Sequence, residues 1–171
     1  MRKKPELSPR ARALQYLARR EYSRTELRGK LLPYLQMGED FGQPFDSSGD
    51  SFGDPFGFAD LDALLDDLTA RGWLSDARAA TQLLHAKRNR FGTQRIAHDL
   101  RQKGIPEELV SAALPALRES ELEAARSVWQ RKFGALPQDA KEKARQMRFL
   151  QSRGFGFEVI FKVLRISDAE D

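Results

Sequence analysis

His85 and His98 are the only histidines among 171 residues, and cysteine is absent. Imidazole and thiolate carry much of the proton transfer and nucleophilic attack that proteins perform near neutral pH. His98 adjoins Asp99, but neighbours in a helix point about 100° apart and do not orient each other. Both histidines therefore read as solvated helix residues. Asp66-Asp67 and Glu107-Glu108 are adjacent carboxylates, better explained as a helix face and as first-turn acids that complement the helix dipole. Gly154-Phe155-Gly156 lacks the third glycine and the preceding strand of a dinucleotide fingerprint, and Arg28-Gly29-Lys30 lacks the phosphate-loop spacing. The residues predict no catalytic constellation, no cofactor site and no metal site.

The chemistry that the residues do offer is anion recognition, and it recurs. Three times an arginine precedes an aromatic residue, a small residue follows, and Leu or Ile comes five places after the aromatic. The copies are Arg20-Glu21-Tyr22-Ser23 with Leu27, Arg90-Phe91-Gly92 with Ile96, and Arg153-Gly154-Phe155-Gly156 with Ile160. Ser and Gly are favoured helix N-caps. An aromatic just before the cap and an aliphatic five residues later form a hydrophobic staple. The first copy adds a capping box, because Glu26 stands three residues after Ser23. One helix-opening corner is thus predicted three times, with its aromatics 69 and 64 residues apart.

Each corner lies in a basic block. Met1 to Lys30 holds ten bases against three acids, Leu83 to Pro106 six against one, and Lys141 to Arg165 seven against two. By contrast, Gln36 to Asp60 holds six acids and no Lys or Arg, so the net charge of +4 hides a division. Basic blocks of this kind favour a polyanion or an acidic protein surface. The candidate contact residues are Arg19, Arg20, Arg24 and Arg28 at the first corner, Lys87, Arg88, Arg90, Arg95 and Lys103 around the second, and Arg148 and Arg153 at the third.

The elements that must position them are helices. Amphipathic spacing and capping residues predict helices over Pro9–Arg20, Arg24–Gln36, Asp60–Arg71, Asp76 to about Asn89, Gly92–Lys103, a stretch opened by Pro106 with that proline in the first turn, Ser120–Phe133, Pro137–Ser152, and a last one after Gly156. Pro33 should kink or shorten the second helix, and Pro115 should end the sixth. Leu68-x3-Gly72-Trp73 and Leu100-x3-Gly104-Ile105 read as matching helix ends, each with a glycine at the left-handed position. Trp73 and Trp129 read as core or seam residues. No stretch alternates as a strand should. The expected fold is all-α, with tandem three-helix repeats in an elongated, curved array. The first repeat spans 1–36 and 59–75 around an insertion at 37–58, the second spans 76–118 and the third 119–166, with a polar tail at 167–171. The insertion is rich in Gly, Asp, Pro and Phe, and its halves echo each other as Phe41-Gly42-Gln43-Pro44-Phe45 and Phe52-Gly53-Asp54-Pro55-Phe56. A loosely tethered segment is expected there.

No apolar run reaches the ~20 residues of a membrane span. The basic start Met1-Arg2-Lys3-Lys4-Pro5 is not followed by the apolar stretch of a secretory signal. Without cysteine, a reducing cytoplasm fits the composition.

Several motifs together resemble the RecX regulatory proteins, modulators of the RecA recombinase. The opening Ala13-Leu14-x-Tyr16-Leu17-Ala18-Arg19-Arg20-Glu21-Tyr22-Ser23-Arg24-x-Glu26-Leu27 is similar to the start of that family. The similarity continues through Leu68-x3-Gly72-x-Leu74-x-Asp76 and Arg90-Phe91-Gly92-x2-Arg95-Ile96-x2-Asp99-Leu100-x2-Lys103-Gly104-Ile105. It closes on Arg148-Phe149-Leu150-x2-Arg153-Gly154-Phe155. The insertion departs from the pattern. The resemblance implies three-helix repeats and a non-enzymatic role: a monomer that binds RecA, free or as a filament on DNA, and restrains its ATP hydrolysis and strand exchange. The alternative reading of the basic corners is direct DNA binding by helix-turn-helix-like elements, marked by steep salt dependence on naked duplex.

Overall fold

The computed structural model describes residues 7–36 and 58–165. Eight helices occupy them: α1 (Pro9–Leu17), α2 (Arg24–Gln36), α3 (Phe58–Ala70), α4 (Asp76–Lys87), α5 (Thr93–Gln102), α6 (Glu107–Lys132), α7 (Ala140–Ser152) and α8 (Phe157–Leu164). No strand occurs among the described residues. Of the insertion expected at 37–58, residues 37–57 lie outside them, as does the 167–171 tail, and Phe58 belongs to α3 instead.

The chain divides into two compact units, Met1–Ala79 and Ala80–Asp171, and the boundary falls inside α4. In the first unit α2 packs on α1 and α3. The leucine stripe of α3, implied by the amphipathic spacing of this helix, is the floor of its core: Leu61, Leu64, Leu65 and Leu68 are all buried with Ala13, Leu27 and Leu31. Leu14, next to the buried Ala13, is exposed. In the second unit α6 packs on α5, α7 and α8, and α8 also packs on α7. Leu150, Phe155, Ile160, Val163 and Leu164 form one core cluster there with Ala124, Ala125 and Val128 of α6.

Two helices end or begin differently from expectation. α1 stops at Leu17, because Arg19 and Arg20 both donate backwards to the Tyr16 carbonyl in a tight closing turn. That turn delivers Tyr22 to the core. α7 starts at Ala140 rather than Pro137, because the Asp139 carboxylate accepts the Glu142 N–H at 2.7 Å while Glu142 reaches back to the Gln138 N–H. This is a reciprocal cap.

The prolines mislead more. Pro106 is the N-cap of α6, not its first helical residue, and α6 then runs unbroken for 26 residues through Pro115. The expected break at Pro115 and the separate helix from Ser120 do not occur. A proline removes one N–H and leaves the carbonyl four residues earlier without its donor. Ser111 and Pro115 are both exposed, so water can serve that carbonyl. The same holds for α2, where Pro33 and Gly29 are exposed and the helix continues to Gln36.

Helix ends repeat faithfully. Trp73 donates to the Leu68 carbonyl and Ile105 to that of Leu100, while Gly72 and Gly104 adopt left-handed backbone with φ of 71° and 67°. A third copy, unnoticed in the sequence, closes α7. Phe155 donates to Leu150, and Gly154 has φ of 82°. Leu150-x3-Gly154-Phe155 has the same spacing as the other two.

Candidate functional site

The first corner is built as its sequence requires. Ser23 Oγ accepts the Glu26 N–H at 3.0 Å, and Glu26 Oε2 accepts the Ser23 N–H at 3.2 Å. Tyr22 and Leu27, the two arms of the staple, are buried. Arg20 lies 3.6 Å over the Tyr22 ring, pairs with Glu26 at 3.1 Å and donates to the Glu21 carbonyl. Burial pulls the Arg20 pKa down, but the hydrogen bond and charge of Glu26 outweigh it and the net shift is upward. Arg20 is thus a clamp on its own corner. Arg24 pairs with Asp66 at 2.8 Å and Arg28 with Asp62 at 3.2 Å, tying α2 to α3. Arg19 is exposed and lines a cavity of about 200 Å³ with Arg12, Gln15, Tyr16 and Tyr34. Hydrogen bonding between Tyr16 and Tyr34 raises the pKa of the first and lowers that of the second, as expected when Tyr16 donates.

The second and third corners meet each other. Gly92 donates to the Arg153 carbonyl at 2.9 Å. A Cβ at Gly92 would stand 2.1 Å from the Gly154 carbonyl oxygen, and one at Gly154 would stand 2.4 Å from the Cβ of Arg95. Both glycines are therefore demanded by backbone-to-backbone approach. Neither cap glycine offers a side chain, and a buried carboxylate from α6 replaces it. Glu121 accepts the Thr93 N–H at 3.1 Å, the Thr93 hydroxyl at 2.9 Å and the Gly156 N–H at 3.3 Å. One side chain thereby caps α5 and α8 together. The first corner has a counterpart, because the Arg24 N–H donates to Asp76 of α4 at 2.8 Å.

The predicted cations divide into two sets. Lys87 and Arg95 converge on Asp99, and Lys87 also lies 5.5 Å over Phe91. Arg153 lies 5.3 Å from the ring centres of both Phe91 and Phe149. Lys103 is half-buried, and Arg88, Arg90 and Arg148 are exposed. The three corner arginines are therefore not equivalent. Arg20 and Arg153 stand two residues before their aromatic and brace rings, whereas Arg90 directly precedes Phe91 and projects from the surface. His85 and His98 are exposed.

Sequence reasoning missed Glu121, although a signal exists. Leu117, Glu121, Ala124, Ala125 and Val128 recur at helical spacing and all are buried. An acid on an apolar stripe needs donors. It also misplaced Trp73, which is 44% exposed. Trp129 does belong to a core, donating to Gln146 at 2.7 Å.

Helical units with capped, cation-flanked corners define a class of helical-repeat proteins. Comparison with known proteins gives the family. Residues 75–114 match the second three-helix domain of RecX, and residues 119–164 match the third. The chain is 47% identical over 167 residues to the regulatory protein RecX of Leptothrix cholodnii, covering 98% of this chain and 94% of that one. It is 41% identical to the Chromobacterium violaceum protein of the same name, over 92% and 89% of the two chains. The crystal structure of RecX from Lactobacillus salivarius has the same fold, with a TM-score of 0.67 at 16% identity over 92% of each chain. This chain belongs to the RecX family of regulatory proteins.

Proposed function

We propose that the protein binds the RecA recombinase, free or assembled on DNA, and restrains its ATP hydrolysis and strand exchange. The similarity of nearly the whole chain to a regulatory RecX protein carries this reading. The basic blocks support it, because a RecA–DNA filament offers acidic protein and phosphate to such surfaces. The mechanism is occupation: a bound helical protein obstructs subunit addition or the rearrangement that strand exchange needs, and no catalytic residue is required of it.

The candidate contacts remain Arg19, Arg20, Arg24, Arg28, Lys87, Arg88, Arg90, Arg95, Lys103, Arg148 and Arg153, now ranked. Arg20, Arg24, Arg28 and Arg153 hold the fold together, so their loss would confound binding with stability. Among the exposed members, Arg88, Arg90 and Arg148 are the ones to test. The decisive measurement is RecA-dependent ATP hydrolysis on single-stranded DNA with and without the protein. Inhibition is expected. Hydrolysis that stays unchanged at excess protein, with no change in strand exchange, would refute the reading. Reversing Arg88, Arg90 and Arg148 to Glu should weaken inhibition about tenfold or more while leaving helical content intact, since rim charges act mainly through encounter and complementarity.

A further inference from the structure

Trp73 follows the glycine that ends α3, and 44% of its surface faces solvent. Large aromatics are exposed at a cost, and an exposed tryptophan ringed by arginines has the composition of an interface centre. Here the ring is specific. The guanidinium of Arg10 lies 5.8 Å from the Trp73 ring centre and that of Arg71 lies 5.5 Å away. Asp67 fixes both, binding Arg10 at 2.8 Å and taking the Nε of Arg71 at 2.8 and 2.9 Å. Arg78 donates to the Trp73 carbonyl at 3.2 Å and is held from behind by Glu21 at 2.9 Å. All six residues belong to the first unit.

We propose that Trp73, with Arg10, Arg71 and Arg78 around it, is the anchor by which the first unit docks on a carboxylate-rimmed apolar recess of a protein partner. The proposal rests on the reading that this partner is RecA. Two features favour protein over nucleic acid. A base stacking on the indole would have to compete with guanidinium groups that Asp67 already holds near the ring. The cluster also has three cations against two carboxylates, a slight excess that suits a few acidic side chains better than a phosphate track. Arginines fixed by salt bridges lose little side-chain freedom on binding, and their remaining donors suit the planar geometry of a carboxylate.

The test uses the full chain and RecA on single-stranded DNA. Trp73→Ala should weaken binding about thirtyfold, the loss expected at an interface centre. Phe157→Ala, which removes a still more exposed aromatic from α8, should leave binding unchanged. Hydroxyl-radical footprinting of the wild-type chain, read by mass spectrometry at Trp73, needs no variant and covers the case in which Trp73→Ala folds poorly. RecA should protect Trp73 with or without DNA, and naked single-stranded DNA should not. Wild-type binding to RecA with Trp73 unprotected, or Trp73→Ala folded and binding normally, overturns this inference and leaves the RecA reading standing. Protection by naked DNA alone overturns the choice of a protein partner. A wild-type chain that does not bind RecA overturns both readings.

Discussion

The corner that opens α2 and the pair that opens α5 and α8 share an aromatic, a small residue and an aliphatic at one spacing, yet they are sealed by different means. The first is self-contained. Ser23 and Glu26 satisfy each other within four residues, and Asp76 adds one bond from outside. The other two are mutual. Gly92 and Gly154 press backbone against backbone, and the single carboxylate of Glu121 serves both helix starts. A local motif can thus be kept while its energetics move from neighbours in sequence to neighbours in space. The first kind tolerates damage one bond at a time, and the second fails as a unit.

The largest effect should follow from Gly92→Ala. Its Cβ would meet the Gly154 carbonyl at 2.1 Å, where no flexible side chain can yield. A loss of about 3 kcal/mol or more is expected, read as an early thermal transition. At the equivalent place in the first corner, Ser23→Gly should cost only a few tenths of a kcal/mol. If the two substitutions cost the same, the proposed contrast is wrong.

Next in size is Glu121→Ala. It strands two N–H groups and a hydroxyl in the interior, at roughly 2–4 kcal/mol. Hydrogen exchange should then accelerate at the first turns of α5 and α8 together. Acceleration at only one of them would show that the shared cap is unequal. Asp76→Ala, the first unit's counterpart, removes one half-buried acceptor and should cost about 1 kcal/mol. Ser23→Ala should cost near 1 kcal/mol or below, since Asp76 still serves the Arg24 N–H, and Ser23→Gly remains the smallest. Chemical denaturation of the five variants side by side would rank them.

What the sequence made legible was local. The staple, the capping box, the leucine stripe of α3 and the glycine ends of α3 and α5 follow from residues within eight positions of each other. Periodicity and capping chemistry act over that range. The cations were found as a set, but their division into clamps and exposed charges was not visible. It depends in part on acids far along the chain, as with Arg28 and Asp62 or Arg24 and Asp66. Glu121 was hidden for the same reason, because its donors lie 28 and 35 residues away. Trp73 was placed inside because a helix-end hydrophobe usually packs on the preceding turn. The ring instead lies against Arg10 and Arg71. Pro115 was read as a stop because proline usually is one, and solvent exposure is what relaxes that rule.

The uninterrupted α6 is a single stiff rod. Its 26 residues reach about 39 Å at ~1.5 Å per residue, and the matches to the second and third RecX domains both run into it. The two domains therefore turn on a common axle. A load that tilts one of them must tilt the other or snap a helix, so pressure from a partner at either end is delivered to both.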